Sequence, residues 1–161
     1  MQLSAAVALA NEHDELNCVM IPTSGLQLLL PNVSVAEIVP SRRMKALEHG
    51  PSWCIGFIGW RGRTVPVVHY VGFTGIDVHP RSAPRCMVIM NRARSVSGPP
   101  FYALAAEGLP RMLQLADGDV NTCDGELGPA DVMHVSVGTE TAIIPNLGYI
   151  EDRLAELGHP A

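Results

Sequence analysis

Apolar residues in this chain come in short runs, and each run ends at glycine, proline or a small polar residue. Residues 18–21 (CVMI) stop at Pro22-Thr23-Ser24-Gly25, and residues 26–30 (LQLLL) stop at Pro31-Asn32. Residues 54–58 give way to Gly59-Trp60-Arg61-Gly62, and a further run follows at Val65-Pro66-Val67-Val68. Runs of this length fit strands and fall well short of the roughly 20 apolar residues of a membrane span. The 15 glycines and 13 prolines are scattered through the 161 residues, which favours many strands joined by turns over long helices.

Read in order, the pattern predicts strands over 18–21, 26–30, 53–58, 63–70, 86–90, 101–106, 109–115, 132–137 and 141–145. Val33, Val35, Ile38 and Val39 fit one helical turn running into a strand. Trp60-Arg61-Gly62 reads as a hairpin turn in which Gly62 takes positive φ cheaply. Pro66 argues for an edge position, because proline cannot donate to a ladder. Residues 42–49, 77–85, 91–100 and 117–129 read as loops. Asn146 is positioned to cap a terminal helix over 147–157, with Glu151 and Asp152 early in it and Gly158 as its stop. Residues 1–17 read as a frayed or lightly helical start without the basic leader of a signal peptide. About ten short strands and one helix make an all-β barrel or sandwich. No repeat at a fixed period is visible.

With 47% hydrophobic and 17% charged residues the chain is globular, not disordered. A net charge of −5 supplies no basic stripe for nucleic acid. No apolar segment calls for membrane insertion, and a cytoplasmic protein is expected. Cys18, Cys54, Cys86 and Cys123 form no C-x-x-C, and the first three lie in apolar runs, as buried thiols of a reducing compartment do.

Signatures of catalysis are absent. There is no phosphate-cradling glycine loop, no G-x-S-x-G and no H-E-x-x-H. His13, His49, His69, His79, His134 and His159 show no metal-ligand spacing, so neither metal nor cofactor is expected. A thiol or metal enzyme built on Cys123, or on His69 and His79, remains as an alternative, since such sites assemble in space. Two charges stand out instead. Glu37 and Arg61 each sit alone in an apolar neighbourhood. Either each lies at a turn tip in water, or they meet across the fold. Arg beside Trp60 and apolar residues has the composition of a protein-binding anchor.

Residues 28–39 (LLLPNVSVAEIV) and 53–75 (WCIGFIGWRGRTVPVVHYVGFTG) together resemble the CheW-like family of bacterial chemosensory coupling proteins. The family's V-x-E-I-V element matches at Val35, Glu37, Ile38 and Val39. Its R-G and P-V elements match at Arg61, Gly62, Pro66 and Val67, with Gly56 and Ile58 before them. The ending AIIPNLGYIEDRL is similar to the family's closing strand and helix. The resemblance implies two SH3-like five-stranded β-barrel subdomains with a short C-terminal helix. The first barrel would take about 26–82, and the second about 86–147 plus the strand at 18–21, within a domain over 18–161.

The resemblance also implies a non-enzymatic adaptor. It would link the tip of a methyl-accepting chemoreceptor to the regulatory domain of a histidine kinase of the CheA type, with other CheW-like proteins as further partners. Glu37 and Arg61 would pair at the contact surface, with Val35, Ile38, Gly56, Trp60 and Gly62 around them. His69 and Tyr70 replace the family's Asp-Leu, and LAAEGLPRML stands where a V-D-x-V is usual. These departures suggest an auxiliary member, similar to accessory proteins of the type IV pilus (twitching) system. A modulator that competes with a main coupling protein or self-associates is the alternative role.

Overall fold

The computed structural model describes residues 15–74 and 83–158. Among the described residues, twelve strands form two six-stranded sheets. The first contains β1 (Glu15–Thr23), β2 (Leu26–Pro31), β9 (Arg111–Ala116), β10 (Val120–Thr122), β11 (Asp131–Val137) and β12 (Glu140–Pro145), in the order β10-β11-β12-β2-β1-β9. The second contains β3 (Val35–Pro40), β4 (Lys45–Ala46), β5 (Cys54–Trp60), β6 (Arg63–Val68), β7 (Cys86–Asn91) and β8 (Phe101–Ala106), in the order β3-β7-β8-β6-β5-β4. A helix, α1, covers Leu147–Leu157. The all-β expectation with a terminal helix holds, with six strands per sheet rather than five. The extra strands, β4 and β10, are two and three residues long and lie inside segments expected to be loops.

The two sheets share one arrangement. A consecutive meander (β4-β5-β6 or β10-β11-β12) joins a hairpin (β8-β7 or β2-β1) by a parallel contact, and the hairpin's outer strand carries an edge strand (β3 or β9). The hairpin follows the meander in one sheet and precedes it in the other, so the halves match by circular permutation. No fixed period in the sequence can show that.

This pairing corrects the expected barrel boundaries. β2, assigned to the first barrel, belongs with β1, and β7 and β8, assigned to the second, complete the sheet of β3, β5 and β6. The reason lies at Ser24 and Gly25, both at positive φ (42° and 84°) in a two-residue loop between Thr23 and Leu26. Such a loop forces its flanking strands to be neighbours. Pro66 is also not at an edge, because β6 lies between β5 and β8. The parallel ladder to β8 engages Val67 and Val68, so Pro66 sits at its margin, where no donor is required.

The short apolar runs are explained by three cores. Alternate residues of β1, β2, β7 and β8 face opposite ways, and both faces are covered. Val19, Ile21, Leu28, Leu30, Val88, Met90, Tyr102 and Leu104 enter the core shared between the sheets, sealed by Ile150 and Leu154 of α1. Met87, Ile89, Ala103 and Ala105 face a core within the second sheet, and Cys18, Met20 and Leu29 one within the first. Tyr70, in the 3-10 segment Tyr70–Thr74 after β6, ties the halves by donating from its hydroxyl to the Ala130 carbonyl (2.7 Å) and Asp131 Oδ1 (2.6 Å).

The helix has the bounds and caps its sequence predicts. Asn146 Oδ1 accepts from the Tyr149 N–H at 3.0 Å, and Gly158 ends it at φ 85°. Glu151 departs from expectation. It is fully buried, and it accepts the N–H groups of Ala93, Arg94 and Ser95 at 2.7–2.8 Å and the Tyr102 hydroxyl at 3.1 Å. The carboxylate thereby anchors the β7–β8 loop to α1.

Candidate functional site

Arg61 and Gly62 form the whole β5–β6 loop, since Trp60 pairs with Arg63. Both central residues have positive φ, 49° and 74°, the pattern of a type I′ turn. Gly62 adopts this freely. Arg61 does so at a cost of about 1–2 kcal/mol, where Asn or Gly would be usual. The turn leaves the Arg61 side chain 69% exposed at the end of the β5–β6 hairpin.

A β-bulge delivers Glu37 to it. On β3, Val35 lies opposite Met90 while Glu37 lies opposite Ile89, so two steps on β3 match one on β7. Met90 faces the shared core and Ile89 the core within the second sheet. The bulge therefore sends Val35 and Glu37, two residues apart, to opposite faces. Arg61 Nη2 lies 3.1 Å from Glu37 Oε1, and Trp60 Nε1 donates to the same oxygen at 3.0 Å. The Trp60 ring is 5% exposed, packs against Phe101 at 4.9 Å, and carries the Arg61 guanidinium 5.0 Å from its centroid. Arg63 covers Phe101 at 5.2 Å, and Arg42 Nη1 donates to the Gly59 carbonyl at 2.9 Å. Four strands thus contribute to one aromatic and cationic surface around a single carboxylate.

The structure brings Glu37, Trp60, Arg61 and Gly62 together and separates the rest. Val35 packs against the shared core. Ile38 lies on the opposite face of β3 from Glu37 and is 39% exposed. Gly56 is buried, and a Cβ there would stand 2.5 Å from the Lys45 carbonyl oxygen and 2.7 Å from Met44 Cγ. It is the glycine that lets β4 close on β5, and it does not reach the outer surface.

One constellation had no signal in the sequence. At the matching position of the other sheet, Arg111 on β9 reaches Glu140 at the start of β12 (Nη2 to Oε2, 2.6 Å), and Gln27 bridges them at 3.2 Å from each. Arg111 pairs with Met20 and Met20 with Leu29, as Glu37 pairs with Ile89 and Ile89 with Ala103. Each inner core thus ends beneath an ion pair, with the signs exchanged between edge strand and meander. The hydrogen bond from Arg111, then that from Gln27, holds the Glu140 carboxyl below its ordinary range. The three residues lie on separate strands, so no spacing along the chain joins them.

Among the described histidines, His134 Nε2 lies 3.6 Å from Asp131 Oδ2, and the other oxygen of that carboxylate accepts from the Tyr70 hydroxyl. Burial raises the Cys18 and Cys86 thiols and pushes Cys54 up to about 11, the reverse of nucleophile activation. His69 is buried, while His79 lies outside the described residues. Among the described residues no three His, Cys, Asp or Glu side chains could hold a metal ion, and no helix is long and apolar enough to cross a membrane.

Two β-sheet halves sharing a core, with a charged and aromatic tip on one of them, define a β scaffold of two subdomains. A family model described as the CheW-like domain matches residues 17–136, and the chain belongs to that family. Among solved structures it is similar to the scaffolding protein TtCheW from Thermoanaerobacter tengcongensis, with a TM-score of 0.64 at 16% identity over 81% of this chain and 88% of that one. Among curated proteins none matches.

Proposed function

We propose that this protein is a chemosensory adaptor that binds the cytoplasmic tip of a chemoreceptor hairpin and the regulatory domain of a CheA-type histidine kinase, and that it has no catalytic activity. Arg61 is the orienting contact. The carrying observation is the turn itself: an arginine held at positive φ, laid over Trp60 and bridged to Glu37. An exposed ion pair contributes only about 0–1 kcal/mol to folding. That does not repay a strained arginine, whereas recognition by a preorganised guanidinium does. Membership in the CheW-like family and the likeness to TtCheW, itself a scaffolding protein, support the reading. The twitching system is the pathway we favour, on the likeness of residues 28–39.

The test is calorimetric titration of the full chain with a receptor-tip fragment and, separately, with a kinase regulatory domain. Micromolar binding to at least one is expected, and loss of it in Arg61→Glu. No heat with either at about 50 µM overturns the assignment.

A further inference from the structure

The edge strands are not alike. Among the described residues, β4 has two residues, β10 has three, and β3 carries a bulge and ends at Pro40. These are devices that blunt a sheet edge. β9 has none of them. It runs six residues without proline or bulge and is paired with β1 along its whole length. The Ala116 N–H turns away from β1 to Asp119 Oδ2 at 2.8 Å. Alternation along an antiparallel strand turns the backbone groups of Gln114 and Met112 outward as well. Met112 is 58% exposed and Leu109, just before the strand, 67%.

We propose that this edge is a self-association surface on which a second copy pairs β9 with β9, antiparallel, about a two-fold axis through Leu113. Met112 of each copy then lies opposite Gln114 of the other, and two six-stranded sheets become one. Charge selects this occupant and orientation. β9 opens at Arg111 and runs directly into Asp117 and Asp119. Antiparallel apposition sets the basic start of each strand, at Arg111, beside the acidic 3-10 turn of Asp117 and Asp119 that follows the other. Parallel addition would stack like charge on like. Among the described residues Glu140 and Gln27 engage Nη2 of Arg111, which leaves its remaining N–H groups for this contact. The net charge of −5 on each copy opposes association, so a dissociation constant of about 10–100 µM is expected.

Sedimentation velocity of the full chain from about 5 to about 200 µM tests this, beside Met112→Lys and Asp117→Lys. The wild type should dimerise with concentration, and each variant should weaken the dimer about tenfold or more while remaining folded. Hydrogen exchange gives a second readout, in which the Met112 and Gln114 amides gain protection as concentration rises. A monomer throughout, or a dimer that both lysine variants leave intact, overturns the proposal. Kinase and receptor binding through Arg61 should survive Met112→Lys, so failure here and failure of the adaptor reading are told apart.

Discussion

Glu37 and Trp60 are joined through the same carboxylate oxygen that meets Arg61: the indole N–H reaches Oε1 at 3.0 Å and the guanidinium at 3.1 Å. One buried aromatic and one exposed cation thus define where a single acid points. Because Trp60 is in the core and Arg61 is in water, the two halves of this arrangement should respond differently to mutation.

Arg61→Glu should leave folding nearly unchanged and reduce partner binding about tenfold or more. The pair is exposed on both sides and contributes about 0–1 kcal/mol, while reversal sets two carboxylates side by side at the proposed docking face. Chemical denaturation and calorimetric titration of the same preparation check both halves.

Trp60→Phe should cost stability instead, about 1–2 kcal/mol. The ring remains in its core, but Glu37 loses the indole donor and the platform beneath Arg61 shrinks. A urea midpoint shifted with unchanged slope is the expected reading.

Glu151→Ala should be among the most damaging single changes, at about 3–5 kcal/mol. It strands three backbone N–H groups and the Tyr102 hydroxyl around a carboxylate that is fully buried. Hydrogen exchange should show protection lost first at Ala93, Arg94 and Ser95.

Gly56→Ala should destabilise by about 1–3 kcal/mol, since the new methyl meets the Lys45 carbonyl at 2.5 Å. Gly59→Ala on the same strand has nothing within 4 Å and should stay within about 0.5 kcal/mol. Thermal denaturation of the pair separates a packing glycine from a permissive one.

Thiol labelling of the native protein near neutral pH should modify Cys123 ahead of Cys18, Cys54 and Cys86, which are buried. Cys54 also sets an alkaline limit. Its folded pKa is raised from 9.0 to about 11, so the folded state holds the proton more tightly than the unfolded one. That contribution is complete below about 9 and is lost as pH rises from about 9 to about 11. Replacing Cys54 by alanine should flatten the stability profile in this window.

Local chemistry was legible in the chain. The α1 bounds follow from Asn146 and Gly158, and the β5–β6 turn follows from Arg61-Gly62. The apolar runs became strands buried on both faces. Glu37 and Arg61 could be singled out because a lone charge in an apolar stretch needs either water or a partner. Tertiary structure decided which. A bulge at residue 36 aims Glu37 away from Val35, which no period-two reading anticipates. It also decided which hairpin joins which meander, because parallel contacts between strands distant in sequence carry no local signal. The buried role of Glu151 and the Arg111–Gln27–Glu140 bridge belong to the same class. Turns, caps and strand faces depend on residues within a few positions of one another, so the sequence alone specifies them. Sheet partners and side-chain pairs depend on which surfaces the three cores bring together, and only the assembled fold sets that.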